Sequence, residues 1–291
     1  MPGSRRIDLV LLLVAVVWGS SYLAAKTATA TLPVLTVLFL RYGISALALL
    51  PAARRANRAE LRTGLILGLT QAAVLILETY GVTHTTAANA GLIISLTLVL
   101  TPLMDRRRMP PRFYLAASVC VLAVGLLMSG NGLHQMGVGD LLMLAAAVVR
   151  AGHVALVGRL ARDIRPLQLT AIQSLVGTAL FVVPALPHLP TAPATWLQMT
   201  YLALFCSVFA FLAQTWAVQR TSASRASLLL GTEPIWAVAI GIGLGNERLT
   251  VPAVLGAVLM LAGTTWGQSI ERRHRETACL TPPRAEPVTP R

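Results

Sequence analysis

Ten long apolar runs divide this sequence of 291 residues, and they restrict the possible folds more than any other feature. Each run is close to the ~17–25 residues that an α-helix needs to cross a bilayer, and the runs lack the 3.6-residue alternation of half-buried helices. They lie at about residues 9–25, 32–52, 63–82, 86–104, 113–129, 138–157, 167–187, 196–218, 226–245 and 251–269. Charged residues make up only 12% of the chain, roughly half the share found in soluble domains. We therefore predict an all-α integral membrane protein with ten transmembrane helices.

The basic residues indicate how these helices are oriented. A net charge of +13 on a soluble chain would suggest nucleic-acid binding. When the helices are threaded from a cytoplasmic N-terminus, however, 20 of the 24 basic residues fall on the cytoplasmic side, only Lys26 and Arg248 fall outside, and Arg41 and Arg150 lie within the membrane. This asymmetry follows the positive-inside rule. It predicts a multi-pass protein with both termini in the cytoplasm and no nucleic-acid partner. The single lysine and the heavy use of Ala, Leu and Val favour a bacterial origin, and hence a plasma (inner) membrane.

The second half of the chain repeats the first. Thr79–Leu92 and Thr215–Leu228 are identical at six of 14 positions and lie 136 residues apart. Prolines bracket equivalent runs at the same separation: Pro33 and Pro51, then Pro166 and Pro184. Five runs in each copy, an odd number, would give the copies opposite orientations in the membrane. We expect two inverted five-helix repeats, at residues 7–130 and 137–269, and a disordered cytoplasmic tail at 271–291.

Short motifs, taken in order, resemble the EamA branch of the drug/metabolite transporter (DMT) superfamily. The first-repeat motifs are Trp18-Gly19-Ser20-Ser21, Arg41-Tyr42 and the stretch Tyr80–Ala90. The second-repeat motifs are Thr221-Ser222-Ala223, Glu233-Pro234, Gly245-Asn246-Glu247-Arg248-Leu249-Thr250, Gly256 and Gly263. The resemblance covers about residues 7–269. It implies two inverted five-helix bundles around a central substrate cavity, and small-molecule transport that is commonly efflux of amino acids or other metabolites. The chain departs from the pattern in the short link after the fourth run and in Arg150, where the second repeat often has an aromatic residue.

Polar side chains within the apolar runs are the candidates for a substrate site. An ionised side chain at the middle of the membrane costs about 2.5–3.5 kcal/mol on insertion scales, so it usually faces a cavity or a partner. The predicted substrate-binding residues are Trp18, Ser21, Tyr22, Gln71, Glu78, Arg150, His153, Gln214, Glu233 and Trp236.

Arg150 is the central candidate, because it lies about ten residues from both Asp140 and Arg159 and hence near the midplane. Its guanidinium could offer paired donors to a substrate carboxylate or phosphate. The alternative is an internal ion pair, for example with Glu233, that touches no substrate. His153, one helical turn away, either lines the same cavity or bonds to a neighbouring helix.

Two polar stripes occupy equivalent faces of the third and eighth runs. Their members are Gln71, Leu75 and Glu78, then Ser207, Phe211 and Gln214. They either line a cavity or join helices, and Glu78, near the outer end of its run, could simply be exposed to water.

The Glu233-Pro234 pair predicts a kink in the ninth run, since proline removes a backbone hydrogen bond. The freed carbonyl and the carboxylate could serve a substrate or a proton, or Glu233 could pair with an arginine. Trp236, one turn further on, is expected to line the same cavity. Arg41 is expected to anchor the second helix or to pair with an acidic neighbour, rather than to contact substrate.

These features favour secondary active transport of a small metabolite by alternating access, with export as the expected direction. A nucleotide-sugar or sugar-phosphate carrier is the runner-up within the superfamily. The sequence has no Walker-type loop that would indicate an ATP motor. A polytopic membrane enzyme is less favoured, because the sequence has no His-Glu-x-x-His or Gly-x-Ser-x-Gly motif. A channel is less favoured, because channels more often form a pore by oligomerising than by internal inverted repeats. We expect no cofactor and no metal, since the three cysteines have no metal-binding spacing. Membrane lipids are expected partners, and proton coupling and a homodimer remain open.

Overall fold

The computed structural model describes residues 2–105, 110–129, 137–245 and 250–280, and every regular element within them is helical. The first half contains α1 (Pro2–Thr29), α2 (Val34–Ala48), α3 (Leu50–Ala53), α4 (Arg58–Thr83), α5 (Ala87–Ile94), α6 (Thr97–Met104) and α7 (Pro111–Ser129). The second half contains α8 (Val138–Leu160), α9 (Pro166–Ala185), α10 (Pro193–Ala203), α11 (Ala210–Arg220), α12 (Ala223–Leu230), α13 (Glu233–Gly245) and α14 (Val251–Leu280). A 3₁₀ turn, Leu186–His188, follows α9, and a π-helical turn, Leu204–Phe209, joins α10 to α11.

The helices have the length and surface of membrane spans. Five of the described spans are long and apolar enough to cross a bilayer: Arg5–Thr29, Arg58–Thr83, Val138–Leu160, Pro166–His188 and Pro193–Arg220. Shorter apolar helices accompany them, and large side chains such as Val183, Leu197 and Leu244 are exposed. Exposed apolar surface of this kind suits contact with lipid. The chain is therefore a multi-pass membrane protein, while the count of ten spans stays a prediction.

The fourth and ninth apolar runs are each interrupted near the middle. Ser95 and Leu96 separate α5 from α6, and Gly231 and Thr232 separate α12 from α13. The second break follows the first by 136 positions, the offset of the sequence repeat. The expected kink at Pro234 is therefore corrected to a break, because α13 begins at Glu233 and Pro234 occupies its second position. A missing N–H costs nothing there, since the first backbone donors of a helix have no intrahelical acceptor.

Contacts at the helix ends show that the two repeats run in opposite directions. Lys26, near the end of α1, donates from Nζ to the carbonyl oxygen of Thr85 at 2.8 Å. The Thr85 hydroxyl donates to Asp140 in the first turn of α8 at 2.7 Å. The end of α1 and the start of α8 therefore lie at the same end of the bundle. Because α1 and α8 are the first helices of their repeats, this is the inverted arrangement that the sequence predicts.

The end of α14 differs from expectation. The predicted tail begins at residue 271, but α14 continues through Leu280, and this stretch is rich in Glu and Arg, which form helices readily. Residues 281–291 lie outside the described part of the chain. So do residues 106–109 of the link after the fourth run and residues 246–249 of the second-repeat motif.

The second helices of the two repeats, α2 and α9, approach closely at Gly177. A Cβ atom built on Gly177 would lie 2.4 Å from ring carbons of Tyr42, whereas one on Gly125 in α7 would meet nothing within 4 Å. Tyr42 is almost fully buried and its ring stacks on Phe181. The glycine therefore sets how closely α2 and α9 pack.

Gly177→Ala is expected to lower the thermal unfolding midpoint in detergent, because overpacking costs about 1–3 kcal/mol and the buried Tyr42 ring has little room to move. Gly125→Ala is the matched control and should leave the midpoint unchanged or slightly raised, since alanine favours helix more than glycine does. Equal midpoints for the two variants would contradict this account of the packing.

Candidate functional site

A central cavity is lined by helices of both repeats. Nine of the ten predicted site residues line it: Trp18, Ser21, Tyr22, Gln71, Glu78, Arg150, His153, Gln214 and Glu233. The other lining residues are Arg41, Val74, Leu75 and Phe211. The structure therefore brings together side chains that are up to 215 positions apart in the sequence.

Arg150 is the centre of an ionic network in this cavity. Its Nη2 donates to Glu233 Oε2 at 2.8 Å, and its Nη1 lies 3.3 Å from Glu78 Oε1. The Tyr22 hydroxyl also donates to Glu233. The internal ion pair considered from the sequence is thus present, and it coexists with a position on the cavity wall. Glu78 is part of the same network, with its side chain only 14% exposed, so the alternative of an ordinary water-exposed carboxylate is corrected.

The guanidinium of Arg150 also lies over the ring of Trp18, 4.4 Å from its centroid. This geometry suits a cation–π interaction. Trp18 and Arg150 occupy equivalent places in α1 and α8, the first helices of the repeats. Residues related by a two-fold axis can touch only if both lie near that axis. The cavity therefore lies where the two halves meet on their pseudo-two-fold axis.

Arg41 anchors α2 to the π-helical turn. Its Nε donates to Ser207 Oγ at 2.6 Å, and its Nη2 donates to the carbonyl oxygen of Cys206 at 3.0 Å. The indole of Trp18 donates to the same carbonyl at 3.0 Å. A π-helical turn interrupts the regular backbone hydrogen bonds of an α-helix and occurs often at functional sites. Here the Cys206 carbonyl oxygen accepts hydrogen bonds from two side chains. The expected anchoring role is present, but Arg41 lines the cavity as well.

Two other predicted residues, His153 and Gln71, differ in whether their polar atoms have hydrogen-bond partners. His153 Nδ1 lies 2.8 Å from the hydroxyl of Thr70 in α4, so it bonds to a neighbouring helix while lining the cavity. The amide oxygen of Gln71 is buried and has no hydrogen-bond partner among the described residues. Buried polar atoms are usually paired, so this acceptor is available to a bound solute.

Trp236 is not among the residues that line the cavity. It follows Glu233 by three residues and therefore lies almost one turn further along α13. Its Cβ packs against Gly19 of α1, where an added Cβ would approach it to 2.6 Å. The Trp236 side chain is 37% exposed, so the expectation that it shares the cavity is not met.

A second cavity lies beside the two helix breaks. Ser95 and Thr97 line it from one break, and Ser227 and Gly231 line it from the other. Arg150 lines both cavities and so stands between them. This cavity is absent from the sequence prediction, because nothing in Ser95-Leu96 marks a helix break. Within the described ranges, no group of three His, Cys, Asp or Glu side chains could hold a metal ion.

The chain resembles known proteins over nearly its whole length. It is 27% identical over 273 residues to an uncharacterized transporter of Archaeoglobus fulgidus, covering 89% of this chain and 85% of that protein. It is 24% identical over 207 residues to the uncharacterized transporter YyaM of Bacillus subtilis, covering 66% and 68% of the two chains. A solved crystal structure shares its fold with a TM-score of 0.72 at 17% identity, covering 93% of this chain and 99% of that one.

A family model supports the same division into two repeats. It matches the chain twice, at residues 5–130 and 137–266, close to the boundaries of the repeats in the sequence. On this evidence the protein belongs to the EamA-like transporter family.

Proposed function

We propose that this protein is a secondary active transporter that exports a small, amino acid-like solute across a bacterial plasma membrane by alternating access. The observation that carries the proposal is the contact between Trp18 and Arg150 at the junction of the repeats. A site on the pseudo-two-fold axis can be reached from either end of the bundle, depending on which way the halves rock.

Each end of the bundle carries a contact between an aspartate of a first helix and the start of a later helix, which supports alternating access. At one end, Arg225 in the first turn of α12 binds Asp8 of α1 at 2.8 Å. At the other end, Thr85 before α5 binds Asp140 of α8 at 2.7 Å. Asp8 and Asp140 lie at matching places in the two first helices, but their partners differ, because the 136-residue offset pairs Arg225 with Asn89 and not with Thr85. Opening one of these two clamps while the other stays closed would expose the cavity to one side at a time.

The charges of the cavity favour a zwitterionic solute. Arg41 and Arg150 are matched by Glu78 and Glu233, so the formal charges cancel. A solute with one ammonium and one carboxylate would keep this balance, whereas the phosphates of a nucleotide sugar would meet two carboxylates in a low-dielectric site. The carboxylates are also candidates for proton coupling, with Glu233 the proposed proton carrier.

Counterflow in proteoliposomes tests the proposal. Vesicles loaded with an unlabelled amino acid should accumulate the labelled form transiently and saturably, and protein-free vesicles should not. Mass spectrometry should recover the solute chemically unchanged, which separates transport from a membrane enzyme. Linear, unsaturable flux would indicate a channel, and absence of counterflow for every amino acid tested would refute the proposal.

A further inference from the structure

We propose that Arg41 recognises an anionic group of the transported solute, a carboxylate or a phosphate-type group. The inference rests on the transport function proposed above. It assigns substrate contact to a residue for which the sequence favours anchoring or pairing with an acidic neighbour.

The two buried arginines of the cavity have different partners. Arg150 is neutralised by Glu233 and Glu78. Arg41 is equally buried, at 4% exposure, but its bonds go to the hydroxyl of Ser207 and the carbonyl of Cys206. Within the described part of the chain, no carboxylate forms an ion pair with Arg41. Arg41 is therefore a cationic group on the cavity wall that no carboxylate of the described residues contacts directly.

Neutral partners offset only part of the cost of holding a guanidinium inside a membrane. They also leave most of its hydrogen-bonding capacity unused, since the guanidinium carries five N–H donors and two bonds are made. The remaining donors lie in one plane and match the geometry of a carboxylate or phosphate. An anion entering the cavity would accept bonds from these donors, which no carboxylate of the cavity does.

Gln71 provides a second, independent indication of a ligand. Its amide oxygen is a buried acceptor without a donor among the described residues, and it lines the same cavity as Arg41. A solute that presents an anion to Arg41 and an N–H or O–H group to Gln71 would satisfy both. Glu78, seven residues further along the same face of α4, could receive the positive end of a zwitterion.

The repeat shows that the fold itself does not need an arginine at this place. The offset that relates Pro33 to Pro166 pairs Arg41 with Ser174 of α9. Ser174 only donates to the carbonyl of Thr170 within its own helix. The cation is present in one half alone, so the α2 side of the cavity differs chemically from the equivalent α9 side.

The test compares solutes that differ only in the anionic group. Counterflow is measured for leucine, phenylalanine and threonine, for their primary amides, which lack the anion, and for their aminophosphonate analogues. In the wild type we expect the acids to be transported at a kcat/KM at least tenfold above that of the amides. Arg41→Gln should lower kcat/KM for the acids by roughly 100-fold or more, with little effect on the amides, and Arg41→Lys should be intermediate. The aminophosphonates show whether a phosphate-type anion is accepted as well as a carboxylate.

Ser45→Ala is the matched control for anchoring. Ser45 ties α2 to the carbonyl of Ala203, just before the π-helical turn, without carrying charge or lining the cavity. It should preserve the ratio of acid to amide transport, and unfolding midpoints should show that both variants are folded. Wild-type transport of amides as fast as acids, or an equal loss for both in Arg41→Gln, would overturn the inference alone. Absence of counterflow for every compound would instead refute the proposed function.

Discussion

Arg150→Met is expected to abolish transport, and Arg150→Met combined with Glu233→Gln is expected to be less damaging than Arg150→Met alone. Removing one partner of a buried ion pair costs about 3–5 kcal/mol, because it leaves an uncompensated charge, and every 1.4 kcal/mol is a factor of about ten. Arg150→Met leaves both Glu233 and Glu78 without their guanidinium. Counterflow should fall by about 100-fold or more, together with the unfolding midpoint.

The single substitutions should follow the geometry of the network. Glu233→Gln should be milder than Arg150→Met, since Arg150 keeps Glu78 at 3.3 Å. Glu78→Gln should be the mildest, because the 2.8 Å bond to Glu233 remains. A double variant that loses the sum of the two single effects would show that the pair is not coupled and would refute this account.

Glu233→Gln also tests whether Glu233 carries a proton that is coupled to transport. If Glu233 carries the proton, the variant should lose uptake driven by a pH gradient in inverted vesicles while retaining counterflow, which needs no gradient. Gradient-driven uptake that persists in Glu233→Gln would exclude this residue as the carrier.

The sequence predicted the architecture well because its signals are long. Each of these signals rests on many residues at once: the apolar runs, the placement of the arginines and the repeat at an offset of 136 positions. Nine cavity residues were found because polar side chains in such runs must face the interior. An arginine partner for Glu233 was one of the alternatives that the sequence left open, and Arg150 provides it.

Local backbone geometry was not predictable in the same way. The break at Ser95-Leu96 contains neither glycine nor proline, and its equivalence to Gly231-Thr232 becomes visible only in the structure. The π-helical turn has no sequence signal, so the neutral partners of Arg41 could not be foreseen. Trp236 was misplaced because a one-turn shift along α13 moves a side chain by about 5 Å, enough to leave the cavity.

Asp8→Asn is expected to shift the protein toward states that are open at the Asp8 end. Arg225 holds both carboxylate oxygens of Asp8, at 2.8 and 2.9 Å, and the two side chains are 12% and 30% exposed. A pair of intermediate burial contributes roughly 1–2 kcal/mol, between exposed and fully buried pairs, or about a five- to thirty-fold change in population. Spin labels on the exposed residues Arg6 and Arg220 should report longer distances across this end.

Asp163→Asn is the matched control. Asp163 is exposed in the link between α8 and α9 at the same end of the bundle, and its neutralisation should leave the distances unchanged. A shift of equal size in Asp163→Asn would mean that net charge, and not the clamp, sets the equilibrium.

Asp140→Asn should have the opposite and smaller effect. Asp140 accepts bonds from the Thr85 hydroxyl at 2.7 Å and from the backbone N–H of Gly137 at 3.1 Å, and bonds in which only one partner is charged are weaker than those in which both are. Labels on Ala30 and Val138 should report opening at this end, with closure at the Asp8 end, because alternating access links the two. The stronger clamp at the Asp8 end implies that the wild type favours opening at the Asp140 end. Simultaneous opening of both ends in either variant would refute the coupling.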